Sequence, residues 1–434
     1  MIKKAFMRAS VPFILNDTEI FSGAFTQAAT ARGWKQFSMQ GDFLLKHIDT
    51  TLSKNIICFE KRFAPLSLTV PVEDPKDKTV VHNYPFLIDC AQVFCFDTGV
   101  GICSLNIPYQ TEAEEALIVN TCSALRCSAE QTNGNPSQPI VQEGNQTYLC
   151  RIFKNHLDDL LGSNYVMFGT QNDTAQRRID MFSAALCDIR ENTDEACNKW
   201  CYLLANTFDT RDGDFTVQKE HVCYQHDYIR WSFSKRGTAV VANLTGTEQN
   251  DKFLQSRWFY SIESNYFYLY IMVMHQKLAI YHILNEITAD PDMNHLEINQ
   301  KALIEFNAKY VFSIVSDEPF LQEAYDRLKK ATSADDVYAE LQEQLSHMFD
   351  YARLEAVEAN EVRDRRLNFI SSILGVVCSF SVIADSISLF RSYGCSFGFD
   401  SIANGIFSGV IGMEALLFVL LLLFVFILNK KKKQ

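Results

Sequence analysis

Three groups of residues have types and spacings suited to chemistry. Asp97-Thr98-Gly99 is the tripeptide of aspartic-protease catalysis, which needs two such carboxylates sharing a proton in apolar surroundings. No second Asp-Thr-Gly or Asp-Ser-Gly occurs, so the tripeptide is expected to be a hairpin turn between strands at Val93 to Phe96 and Gly101 to Ile107. Cys197 and Cys201 sit four apart on an expected helix, with His221, Cys223 and His226 following, a donor set that zinc could use. Buried thiols and hydrogen-bonded histidines are the commoner outcome of such a pattern. Asp227, Arg230 and Lys235 surround a strand-rich segment and could contact an anion, although scattered charges usually form a solvated face. Gly-x-Ser-x-Gly, His-Glu-x-x-His and Walker motifs are all missing, so no catalytic role is expected.

The elements that would position these residues change character along the chain. Residues 1–250 read as a mixed α/β domain. Further strands are expected at Ile56 to Phe59, Tyr148 to Phe153, Val222 to Phe233 and Thr238 to Ala242, with a loop over Asn133 to Gln146. A helix is expected to begin at Thr111, with Glu114 as its capping-box partner. Residues 251–366 read as helical: Lys252 to Ile287, Leu296 to Phe312, Pro319 to Lys330, then a stalk from about Ala334 with no Pro or Gly through Arg366. In that stalk Val337, Leu341, Leu345, Met348, Leu354 and Val357 recur at helical spacing. The run Tyr266 to Leu284 is apolar, but His275, Gln276 and Lys277 at its middle favour a buried helix over a membrane span.

The chain has 434 residues and a net charge of −12. From Arg363 onward it is +4, so residues 1–362 carry −16, an acidic body that argues against direct nucleic-acid binding. The 33 Phe and 17 Tyr exclude a disordered chain. No secretory signal is expected in Met1 to Asp17, where Arg8 and Pro12 break the apolar stretch. The 13 cysteines are then expected as reduced thiols.

Residues 367–390 contain one charge, Asp385, and residues 403–428 one, Glu414. Either is long enough for a transmembrane helix, with 391–402 as a short extracytoplasmic loop and 429–434 as a basic tail. Arg363, Arg365, Arg366 and Lys430 to Lys433 place both termini in the cytoplasm of a two-span protein of the inner or plasma membrane. Asn368, Ser372, Gly375, Ser379, Val382 and Ser386 fall on one helical stripe, suited to close packing or to lining water. One span cannot enclose a pore, so a conduit needs several copies around an axis, with Asp385 near the outer mouth attracting cations.

This layout resembles the CorA-type magnesium channels and transporters, the two-span family with an aromatic-Gly-Met-Asn motif after the first span. The matching residues are Tyr393, Gly394, Cys395 and Ser396; Gly394 fits the motif, while Cys395 and Ser396 stand where Met and Asn would be. The resemblance covers roughly residues 250–434. It implies a homopentameric funnel in the lipid bilayer, a pore lined by the first span, and a divalent cation such as Mg²⁺ as permeant or regulatory ion, with no covalent cofactor. Ser396 is shorter than Asn and would leave a wider ring around a hydrated cation. CorA-like proteins lacking the standard motif include those accompanying type III CRISPR systems, membrane effectors of antiviral defence opened by a nucleotide second messenger made from S-adenosylmethionine and ATP. That resemblance suggests the same role here. The alternative, from a different class, is a membrane-anchored cytoplasmic sensor or enzyme without transport.

Overall fold

In the computed structural model the backbone is described for all residues except 1, 18, 40–43, 75, 110–113, 128–137, 168–178, 191–192, 212–216, 218–220, 290–292 and 395–434. In chain order the first part contains β1 (Ile2–Leu15), α1 (Gly23–Ala31), β2 (Lys35–Phe37), α2 (Lys46–Asn55), β3 (Ile56–Glu73), β4 (Val81–Phe96) and β5 (Val100–Tyr109). There follow α3 (Glu115–Arg126), β6 (Ile140–Gln142), β7 (Asn145–Thr147), α4 (Leu149–Leu161), β8 (Tyr165–Met167), β9 (Asp180–Cys187) and α5 (Thr193–Asn206). Next come β10 (Cys223–His226), β11 (Ile229–Phe233), β12 (Gly237–Asn243), α6 (Glu248–Phe253), α7 (Phe259–Ser261) and α8 (Phe267–Ala289). The remainder is α9 (Met293–Tyr310), α10 (Pro319–Thr332) and α11 (Ala334–Gly394).

The described strands form one 12-stranded sheet with the path β10-β11-β12-β9-β1-β5-β4-β3-β6-β7; β2 joins β3 and β8 joins β1. Every pair is antiparallel except β9 with β12, whose parallel pairing requires the crossover that α5 supplies. Strand β1 shows why the sheet is buried on both sides. Its odd positions Ala5, Met7, Ala9, Val11 and Phe13 enter a core built with α3, α4 and α5. Its even positions Phe6, Arg8 and Ser10 face the other way, where α7 and α8 lie: Phe6 meets Phe259 at 5.4 Å, and Phe182 of β9 meets Phe267 at 5.5 Å. Both sets are buried, so alternation is lost from the sequence.

The helix over that second face is irregular. Between α6 and α8 the backbone passes twice through π-helical turns, Leu254–Trp258 and Ile262–Tyr266. Each π turn shifts the helical register, allowing Trp258, Phe259, Ile262, Tyr266 and Phe267 all to be buried. α8 then continues under cover of α9 and α10, and its His275 and Gln276 are buried. The segment Tyr266 to Leu284 is thus a core helix of this domain.

These observations correct the expected architecture, an α/β domain feeding two membrane helices of a CorA-like pentameric funnel. The domain is a mixed, mostly antiparallel sheet, and among the described residues no helix is long and apolar enough to cross a membrane. Long antiparallel strands covered on both faces have the same apolar runs as parallel α/β strands, which explains the misreading. Four local expectations also change. The expected loop over Asn133 to Gln146 contains β6 and the start of β7, a short hairpin. Tyr148 to Phe153 is the N-cap and first turn of α4, not a strand, because Leu149, Ile152, Phe153, Leu157, Leu160 and Leu161 make one helical stripe. Val222 to Phe233 is two strands joined by a turn. Helix α3 begins at Glu115, with Glu114 in the cap position; Thr111 lies outside the described residues.

By its contacts the chain divides into Met1–Ser346 and His347–Gln434. Helix α11 spans both ranges: Ala334, Leu341 and Leu345 are buried in the first, whereas Leu354, Val357, Leu367 and Ile370 of the second are exposed.

Candidate functional site

Polar side chains enter the interface between the sheet and α8 at two places. The first is the β4–β5 hairpin. Gly99, at φ +81°, makes the tight turn that only glycine adopts without strain. Phe96 stacks flat on His275, with ring centroids 3.6 Å apart and 5° between planes. The hydroxyl of Thr98 lies 2.8 Å from His275 Nε2. Tyr310 presents its edge to the same imidazole at 4.5 Å. Burial pushes the His275 pKa down from 6.5 to about 3, so the ring is neutral.

Asp97 fastens the other side of the turn. It accepts from the Tyr310 hydroxyl at 2.6 Å and from Lys309 Nζ at 2.8 Å, while its own N–H donates to Asn55 O at 3.0 Å. Gln276 Nε2 donates to Tyr310 O and to the Tyr325 hydroxyl, which in turn donates to Phe312 O. A hydroxyl beside an imidazole is half of a nucleophile–base arrangement, but the other half is missing. Asp97 bonds to Tyr310 and Lys309, His275 Nδ1 has no hydrogen-bond partner among the described residues, and the ring is 1% exposed. Such a group neither orients nor meets a substrate. The cluster therefore works as a clamp fixing α8 and α9 to the turn.

The second place is a polar band across four adjacent strands. Ser10 of β1, Ser104 of β5, Gln92 of β4 and Glu60 of β3 stand in one cross-strand row, next to the row Arg8, Asn106, Cys90 and Arg62. Ser10 donates to Ser104 at 3.2 Å; Arg8 donates to Gln92 Oε1 at 3.2 Å; Gln92 donates to Glu60 at 2.8 Å, and Arg62 reaches the same carboxylate at 2.8 Å. Desolvation by burial works against the Glu60 carboxylate, yet these hydrogen bonds and the two guanidinium groups hold its pKa below the usual value. Arg8 lies under Phe267, 5.0 Å from the ring centroid.

The residues singled out by sequence are placed as follows. Asp97, Thr98 and Gly99 are the hairpin turn. Cys201 donates to Arg230 O and Ala239 O, and burial pushes the Cys197 thiol up to about 11 and the Cys201 thiol well above its ordinary value. His221 stacks on Tyr202 and His226 on Tyr228. Among the described residues no three His, Cys, Asp or Glu come together to hold a metal. Arg230 is buried and paired to Asp194 at 2.6 Å, while Asp227 and Lys235 sit in turns at opposite ends of β11, so they form no common anion site. A small cleft of about 70 Å³ beside Phe37, Asp49 and Cys58 is too small for a nucleotide.

Asn368, Ser372 and Gly375 lie on α11, where Ser372 donates to Asn368 O at 2.7 Å. The side chains of Ser379, Asp385, Ser386 and Tyr393 lie outside the described residues, as do Cys395 and Ser396 entirely; Gly394 is the last residue of α11. Arg8, Gln92, Asn106 and His275 escaped the sequence reading as site residues. The available signal was polarity inside otherwise apolar strands and helices, with no motif attached. No family model, curated protein or solved structure matches the chain.

Proposed function

We propose that the protein is a membrane-attached sensor and effector: the sheet domain detects a ligand and acts through α11 on an apolar C-terminal segment that conducts cations, with several copies sharing one axis. The observation that carries this reading is the continuity of α11. Its first turns are anchored by buried Ala334, Leu341 and Leu345, and its backbone stays helical to Gly394 with no intervening break. A helix of this kind transmits rotation or displacement where a loop would absorb it.

Support for conduction comes from composition. A simple anchor has no use for Asn368, Ser372, Ser379 and Ser386 on one stripe or for Asp385 in an apolar run, whereas a wet, cation-attracting lining does. The permeant ion in this proposal is a divalent cation such as Mg²⁺, and the opening ligand is a nucleotide second messenger. In proteoliposomes the wild type is expected to pass cations, and Asp385→Asn to reduce that flux several-fold with the oligomer intact. A monomer in detergent, or no flux from any oligomer, would leave an anchored sensor without transport and overturn the conduit.

A further inference from the structure

The cleft beside Phe37 lies between α2 and the β2–β3 pair. Asp49, Leu52 and Ser53 of α2 and its C-cap Ile56 follow at steps of +3, +1 and +3, so the helix turns a single face to the cleft. Across from them Phe37 stands opposite Cys58 in the β2–β3 register, its ring pinned by Phe94 at 5.7 Å and by Tyr268 at 6.3 Å. Met39, Leu52 and Cys58 are buried, Phe37 and Ile56 half-buried and Ser53 exposed, which makes an apolar floor under a polar mouth.

Asp49 is the one lining residue with a formal charge, because burial pushes the Cys58 thiol up and keeps it neutral. Its carboxylate differs from others already described. Asp97 is held by Tyr310 and Lys309, Asp194 by Arg230 and Asp209 by Arg211. The side chain of half-buried Asp49 makes no hydrogen bond or ion pair among the described residues, not even with Lys46 or Lys54 of the same helix. The Ser53 hydroxyl donates to Thr50 O at 3.1 Å, which leaves its lone pairs for an incoming donor. The cleft thus offers acceptors and negative charge, which repel an anion, while one carboxylate supplies too few ligands for a divalent cation. Its volume of about 70 Å³ takes about five water-sized groups.

We propose that this cleft binds a small primary alkylammonium of about five non-hydrogen atoms, its N–H groups donating to the Asp49 carboxylate and the Ser53 hydroxyl and its alkyl chain lying against Met39, Leu52 and Ile56. Three features select that class: a carboxylate without a partner, a hydroxyl beside it one helical turn on, and an apolar floor of limited depth. The site goes beyond the conduit proposed above and does not depend on it.

The test is a ligand-observed NMR titration of the full-length chain in detergent, at constant ionic strength and against a blank of detergent alone, with n-butylammonium, 1-butanol and butyrate. n-Butylammonium should bind saturably, and 1-butanol and butyrate each at least about tenfold more weakly, since neither makes the charged hydrogen bond. Asp49→Asn should weaken n-butylammonium by about tenfold or more for the same reason. Ser53→Trp, at an exposed position, fills the mouth of the cleft and should abolish binding. Neither side chain holds another element in place, so both variants should keep the wild-type Tm. Uptake no greater than that of detergent alone, equal binding of 1-butanol or butyrate, or an affinity unchanged in either variant would overturn the site. Ion flux plays no part in this titration, so failure of the conduit would leave the site standing, and failure of the site would leave the conduit.

Discussion

Replacing His275 with Phe should remove a specific part of the protein's acid sensitivity. The folded imidazole titrates near pH 3, against an ordinary value of 6.5, because burial opposes its charge. Below pH 6.5 the unfolded chain takes up a proton that the folded chain refuses, so this contribution is complete above pH 6.5 and is lost progressively as pH falls toward 3. At pH 5 the difference is 1.5 pH units, worth about 2 kcal/mol. Phe preserves the flat contact with Phe96 and gives up the hydrogen bond to Thr98, so the variant begins less stable at pH 7 by about 1 kcal/mol. Urea unfolding of the full chain in mild detergent, followed by fluorescence of the buried Trp34, Trp231 and Trp258, provides the stabilities at pH 7 and pH 5. Asp97, Lys309, Tyr310 and the other titrating groups remain in both proteins and cancel in the comparison. The wild type should lose about 2 kcal/mol more than His275→Phe between those pH values; equal losses would refute the argument.

The same structure carries further expectations. Gly237→Ala would bring a Cβ within 2.2 Å of Met181 O, forcing the parallel β9–β12 pair apart, and should cost more than ~2 kcal/mol and several degrees of Tm in a calorimetric scan. Asp97→Asn removes the charge that Tyr310 and Lys309 share and should destabilise the hairpin clamp by roughly 1–3 kcal/mol, measured by the same urea titration. Native alkylation with iodoacetamide, analysed by peptide mass spectrometry, should label the exposed Cys127 while sparing Cys58, Cys95, Cys103 and Cys201 until denaturant is added.

The extent to which the fold was legible depended on how local its causes were. The β4–β5 hairpin was readable because Asp97-Thr98-Gly99-Val100 encodes its own turn, and α10 because Pro319 starts it within a clear amphipathic stripe. The pairing of β1 with β5 and β9 was not, since its partners lie about 100 and 180 residues away and nothing in IKKAFMRASVPFIL names them. Helix α4 was mistaken for a strand because the six residues considered are too few to separate a period of 3.6 from one of 2. The polar band was hidden for a related reason. Arg8, Asn106 and Gln92 are far apart in sequence and meet only through strand register, so each alone looks like an interruption of an apolar run.

The central place of β1 has a consequence for biogenesis. The strand stands between β5 and β9, and β9 ends only at Cys187. While a ribosome is still translating the first 180 or so codons, β1 has one edge unsatisfied and an apolar surface without its cover. That exposed ribbon invites pairing with nascent neighbours. Production at low temperature or with holdase chaperones should therefore raise the yield more than changes to the mature surface, and mutations that slow translation before β9 should lower it.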